Sequence, residues 1–132
     1  MARKQAEKKI VKLVLLQEGI YHMKRRSITI ECPLSIHGAG QDRTIIQGGG
    51  FKIEETKEIG KRVAVSGVTV SGTKWNGLVG ENGLDFVCKE MTFTQCGRCG
   101  VVAENTTGRL IDCVVTQCGR SGIFCSENAL IE

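Results

Sequence analysis

The sequence predicts an all-β chain wound as a parallel β-helix, a solenoid of about four to five coils with a small N-terminal cap. Three observations carry this. First, a phrase recurs: Gly77-Leu78-Val79-Gly80-Glu81-Asn82 returns as Gly100-Val101-Val102-Ala103-Glu104-Asn105, then as Gly122-Ile123-Phe124-Cys125-Ser126-Glu127-Asn128. The Glu-Asn pair repeats every 23 residues, and Thr94-Gln95-Cys96-Gly97-Arg98 returns after 22 as Thr116-Gln117-Cys118-Gly119-Arg120. Second, 17 glycines, one proline and 5% aromatic residues suit many short strands and tight turns better than a helical bundle. Third, apolar residues alternate in step with the repeat. Val68 and Val70 fall onto Met91 and Phe93, and these onto Cys113 and Val115.

Taken in order, residues 3–12 are compatible with a short amphipathic helix, and Val11 to Leu16 form a β-rich run stopped at Gly19. Residues 1–16 are therefore the expected cap. Strand-like alternation follows at Ile28–Ile30, at Leu34–Ile36 after the lone Pro33, at Thr44–Ile46 and at Phe51–Ile53 beyond glycines 48–50. Residues 54–62 carry seven polar or charged side chains and read as an exposed loop. From 63 to 132 the repeats are regular, and the whole of 1–132 forms one domain. Thr69, Ser71, Thr92, Thr94, Val114 and Thr116 alternate with the buried positions and should face outward. Strands this short, with the same residues always facing in, wind as a coil in which each strand pairs in parallel with its copy about 4.8 Å away. The mismatch between 22 and 23 predicts one extra residue, and a bulge, between Gly122 and Glu127.

The phrases Glu18-Gly19-Ile20-Tyr21, Pro33-Leu34-Ser35-Ile36-His37-Gly38-Ala39-Gly40 and Thr44-Ile45-Ile46-Gln47-Gly48 resemble the opening of right-handed parallel β-helix proteins of the pectate-lyase-like superfamily. The later Ser-Gly-Ile…Asn units are similar to that superfamily's repeats. The resemblance spans nearly the whole chain and implies a right-handed coil. It implies little about activity, because one scaffold hosts many functions. Catalysis in the superfamily would call for outward acidic clusters. The paired aspartates and Gly-His-Gly of its polygalacturonase-type hydrolases are missing from this sequence, as is the Asp-Pro-His of its uronate epimerases.

Charge is unevenly spread. Residues 1–26 hold eight Lys or Arg against Glu7 and Glu18, whereas the whole chain carries a net +4, so the repeats are slightly acidic. The basic segment lacks interleaved aromatics, so the sequence favours neither a nucleic-acid nor a membrane partner. Seven cysteines, with no evident secretory signal, favour reduced thiols and a cytoplasmic setting. The sequon Asn105-Thr106-Thr107 lies inside the repeat and reads as coincidence.

Each candidate site has a structural counterpart. Asn82, Asn105 and Asn128 read as a ladder at a tight bend, where an amide can bond the copies above and below. Glu81, Glu104 and Glu127 beside them could form a ligand stripe, with solvated surface as the alternative. Cys96-Gly97-Arg98-Cys99 has metal or redox spacing, but the next unit ends in Ser121, and His22 and His37 lie far along the axis. Cys96 and Cys118 instead stack inside the coil, as Cys88, Cys113 and Cys125 pack in the core. No metal or other cofactor is expected. Glu90 and Asp112 occupy equivalent places one rung apart, a spacing of roughly 5 Å near that of a retaining glycosidase pair. They are the candidate catalytic residues, flanked by Lys89 and Arg109. The outward threonines suggest an ice-binding array, interrupted by Ser71 and Val114.

Ala129-Leu130-Ile131-Glu132 reads as another strand start, equivalent to the stretch near Leu110-Ile111. An uncapped coil exposes backbone groups and apolar residues, so the chain is either a fragment of a longer β-helix or self-associates through Leu130 and Ile131, most simply as a dimer. The expected function is a non-catalytic scaffold or binding module. The alternative is a truncated or degenerate polyuronate lyase or hydrolase acting on polysaccharide, although Trp75 and Tyr21 are its only large sugar platforms.

Overall fold

Strands of three to five residues alternate inward apolar with outward polar side chains, and each coil needs three of them to close. The computed structural model describes residues 12–54, 62–126 and 128–132. The first coil contains β1 (Lys12–Leu15), β2 (Gly19–His22) and β3 (Ile28–Ile30). The second contains β4 (Leu34–His37), β5 (Thr44–Gln47) and β6 (Phe51–Ile53), and the third β7 (Arg62–Ser66), β8 (Thr69–Ser71) and β9 (Leu78–Glu81). β10 (Asp85–Lys89), β11 (Thr92–Thr94) and β12 (Val101–Glu104) form the fourth. β13 (Thr107–Ile111), β14 (Val114–Thr116) and β15 (Ile123–Ser126) form the fifth, and β16 (Leu130–Ile131) starts another turn. Every pairing is parallel, and every third strand stacks into one of three sheets, ordered β1-β4-β7-β10-β13-β16, β2-β5-β8-β11-β14 and β3-β6-β9-β12-β15. The described residues contain no helix. The chain is a β-solenoid of about five turns, as expected.

The expected cap divides at residue 12. Residues 1–11, including the expected helix, lie outside the described residues, while β1 pairs with β4 and so belongs to the stack. The loop expected over 54–62 lies outside them except for Glu54 and Arg62.

The core is a set of stacked columns. Val70, Phe93 and Val115 follow one another in register, and Thr69, Thr92 and Val114 face out beside them, as the alternation requires. Inward polar groups are satisfied. Thr44 Oγ1 accepts the Ala39 N–H at 2.8 Å and donates to the Gln17 carbonyl at 3.1 Å. Thr106 Oγ1 donates to the Leu84 carbonyl at 2.8 Å. Side-chain size is traded between rungs. Val63, Phe86, Gly108 and Ile131 form one column, and the Phe86 ring fills the space that side chains at Gly108 and Gly80 would take. A Cβ on Gly108 would lie 2.2 Å from Phe86 Cζ, and one on Gly80 2.7 Å from Cε1.

The extra residue of the last repeat enters later than the sequence suggests. Register is unbroken from Val101 on Ile123 to Glu104 on Ser126, a shift of 22. It becomes 23 only where Thr107 meets Leu130. No bulge therefore occurs between Gly122 and Ser126, because hydrogen bonding to β12 holds that strand straight. The register also sets Leu130 on Thr107 and Ile131 on Gly108, three places before Leu110-Ile111.

The packing of Phe86 under Gly108 gives a double-mutant test. Gly108→Ala should destabilise the fold by about 1–3 kcal/mol through overpacking. Combined with Phe86→Leu, it should cost less than the sum of the two single changes. Urea unfolding followed by circular dichroism measures all four states.

Candidate functional site

Parallel strands three residues long can follow one another around a coil only if the chain turns sharply without reversing its inward face. Left-handed residues do this at three corners. Gly67, Glu90 and Asp112 occupy one corner on successive coils with φ of +66°, +53° and +52°. Gly72, Gln95 and Gln117 occupy the next with φ of +69°, +53° and +55°. Asn82 and Asn105 occupy the third with φ of +53° and +52°.

This places the candidate catalytic pair. Glu90 and Asp112 sit on adjacent rungs, as the sequence implies, but they are the corner successors of a glycine. Their side chains are exposed, and the Glu90 N–H donates to the Ile111 carbonyl at 2.9 Å just as the Gly67 N–H donates to that of Lys89 at 3.1 Å. No ion pair engages either carboxylate among the described residues. Of the flanking cations, Arg109 pairs with Glu132 at 3.6 Å.

Asn105 Nδ2 donates to Asn82 Oδ1 at 3.3 Å, which makes one rung of the expected ladder. Asn128 does not continue the position. The register passes from a shift of 22 at Ser126 to 23 at Leu130 across this stretch, and no hydrogen bond joins Asn105 to Asn128 among the described residues. Glu127 itself lies outside the described residues. The sequon is used internally, since Asn105 holds Asn82 and Thr106 is buried.

Cys88 and Cys96 are buried in the core, and Cys96 and Cys118 are neighbours on consecutive rungs. Cys96 Sγ donates to the Thr94 carbonyl and Cys118 Sγ to that of Thr116. Burial, reinforced by Cys118, pushes the Cys96 thiol up to about 12, and burial pushes Cys88 and Cys113 up as well. Such thiols resist ionisation, which suits packing and opposes nucleophilic or redox use. Cys125 departs from the expected core role. It is exposed on β15, the end strand of its sheet among the described residues. Cys99 is buried, and its N–H donates to Asn76 Oδ1 at 2.9 Å. Among the described residues no three His, Cys, Asp or Glu side chains gather as metal ligands would.

The threonine array is occupied by the chain itself. Gln41 Nε2 donates to Thr92 Oγ1 at 2.8 Å, and Thr69 Oγ1 donates to the Gln41 carbonyl, so the two central hydroxyls are not displayed as a free lattice.

Two of the hollows among the described residues stand out by their lining. One is the C-terminal mouth, a hollow of about 490 Å³ lined by Leu110, Cys113, Val115, Ile123, Cys125 and Ile131. The other lies beside Trp75, Arg98 and Arg120, which stack in one column; its signal in the sequence is the repeated Gly97-Arg98 and Gly119-Arg120, each beside a more conspicuous cysteine. No protein family, curated protein or solved structure matches the chain.

Two outcomes follow from the corners and thiols. Glu90→Gly should raise stability by about 0.5–1 kcal/mol, because a non-glycine residue at left-handed φ costs roughly 1–2 kcal/mol and glycine returns part of that gain as entropy; the urea midpoint reads the shift. The second concerns pH. The ordinary thiol value is 9.0 and folded Cys96 stands near 12, so the folded chain keeps a proton that the unfolded chain releases. Stability should be constant in this respect below pH 9 and fall as pH rises from 9 towards 12, with a shallower fall in Cys96→Ala.

Proposed function

We propose that the chain is a non-catalytic β-helix scaffold and binding module that pairs with a second copy of itself through its C-terminal coil. The carrying observation is the contrast between equivalent core positions on neighbouring coils. Val101 and Ala103 on β12 are fully buried, whereas Ile123 and Cys125, their partners on β15, are exposed. Leu130 and Val114, outward positions of the last coils, are also about half exposed beside this end. β14 and β15 are the last strands of their sheets, so they also present unpaired backbone groups to any strand that approaches. A second copy related by a two-fold axis brings the same apolar end and the same edges, which makes the contact self-complementary and closed. The exposed corner positions of Glu90 and Asp112 support a non-catalytic reading over polyuronate lyase or hydrolase chemistry. The opening phrases and the three-sheet parallel coil support kinship with the pectate-lyase-like superfamily. By the same reading, the Asn82–Asn105 bond is part of an asparagine ladder that stiffens the module.

Light scattering at tens of micromolar, in reductant, should give twice the chain mass. Leu130→Lys should shift the protein to the monomer by placing a charge on the apolar end. A monomeric wild-type chain overturns the reading.

A further inference from the structure

The corner between β11 and β12 and its copies stack a column unlike any other on the surface. Trp75, Arg98 and Arg120 follow one another on consecutive coils. The Arg98 N–H donates to the Trp75 carbonyl at 2.9 Å, and the Arg120 N–H to that of Arg98 at 2.8 Å. The Arg98 guanidinium lies 4.3 Å from the Trp75 ring centroid and the Lys74 ammonium 5.3 Å, so the ring holds two cations in place. None of Lys74, Arg98 and Arg120 has a carboxylate partner among the described residues. Beside the column lies a hollow of about 270 Å³ lined by Arg98, Val102, Arg120 and Phe124, with Glu104 on the far rim. Its apolar lining is Val102, which is buried, and on the next rung Phe124, whose phenyl ring is half exposed.

We propose that this hollow docks an extended acidic peptide segment of a partner protein. A carboxylate of the peptide lies between Arg98 and Arg120, and a neighbouring apolar side chain packs on Phe124. Guanidinium forks match carboxylates, and consecutive rungs about 4.8 Å apart bring two forks to one acid. The combination of a cationic rim with an apolar floor calls for an acid and a hydrophobe on one chain. A nucleic acid would bring charge along its whole length, with no apolar side chain to pack on Phe124 beside each phosphate. An uncharged sugar would find Asn76 Oδ1 already accepting the Cys99 N–H. The volume falls below the roughly 300–1,000 Å³ of enclosed small-molecule sites and suits one or two side chains of a longer ligand. Leu130 does not line this hollow, although Phe124 shares β15 with Ile123 and Cys125 of the proposed pairing end.

The probe is a fluorescein-labelled peptide of about ten residues alternating Glu and Leu, read by anisotropy and by the fluorescence of Trp75, the sole tryptophan. Saturable binding should shift the Trp75 signal and weaken about tenfold in Arg98→Gln and again in Arg120→Gln. It should be unchanged in Arg43→Gln, whose guanidinium pairs with Glu18 elsewhere, and retained in Leu130→Lys. The matching Gln/Leu peptide should not bind. Four results overturn the proposal: no binding of the acidic peptide, equal binding by the double Arg98→Gln, Arg120→Gln variant, saturation without a Trp75 response, or tighter binding of heparin or single-stranded DNA at the same arginines. Should a variant unfold, the Trp75 response of the wild-type chain still decides.

Discussion

Everything in this molecule depends on turning the chain at a corner while keeping the same face inward. A left-handed residue achieves this in one step, and residues at all three corners adopt it, from Gly67, Glu90 and Asp112 round to Asn82 and Asn105. Where the corner is glycine the conformation is free; where it is Glu, Gln or Asp it carries a steric cost that the surrounding ladder must exceed. The ladder does so where the corner N–H is held by the next coil, as Glu90 is by Ile111 and Asn82 by Glu104. Fixed corners in turn fix strand register, and register decides which side chains meet in the core.

Once register is fixed, packing becomes a problem of columns rather than of pairs. A bulky ring in one rung requires a small residue in the next, and Phe86 between Gly80 and Gly108 is the clearest case. The same logic explains why the middle of the stack is dry and its C-terminal end is not. Val115 closes over Phe93, but nothing among the described residues closes over Val115 on the far side, so β14 and β15 carry core side chains into solvent. Burial therefore falls along the axis, from Cys88 and Cys96 in the core to Cys125 at the surface.

The solenoid was legible because period-two alternation and a 22–23 residue repeat are both consequences of stacking, and stacking leaves them in the sequence. The inward columns Val68–Met91–Cys113 and Val70–Phe93–Val115 could be read directly. Corner geometry was less legible. Glu90 and Asp112 aligned as a carboxylate pair, yet their alignment with Gly67 held the conformational message, since a position shared by Gly, Glu and Asp demands backbone shape before chemistry. The slip of one residue was misplaced for a related reason. Matching Asn105 to Asn128 by identity moved the insertion upstream, whereas hydrogen bonding to β12 keeps Ser126 opposite Glu104 and defers it.

Repetition and function are then separable on physical grounds. A residue that recurs at one corner or one inward column serves the coil, because every coil needs it. The column of Trp75, Arg98 and Arg120 obeys a different rule. Its backbone repeats, but its outward side chains change from ring to guanidinium, and no requirement of the coil selects either. A ring that holds Arg98 and Lys74 in place leaves charges without carboxylate partners where a solvated surface would let them spread. Stacking thus supplies the spacing, and the side chains that stacking leaves unconstrained supply the chemistry, which is why the flank of the coil is a better place for recognition than the corners the repeat announces most loudly.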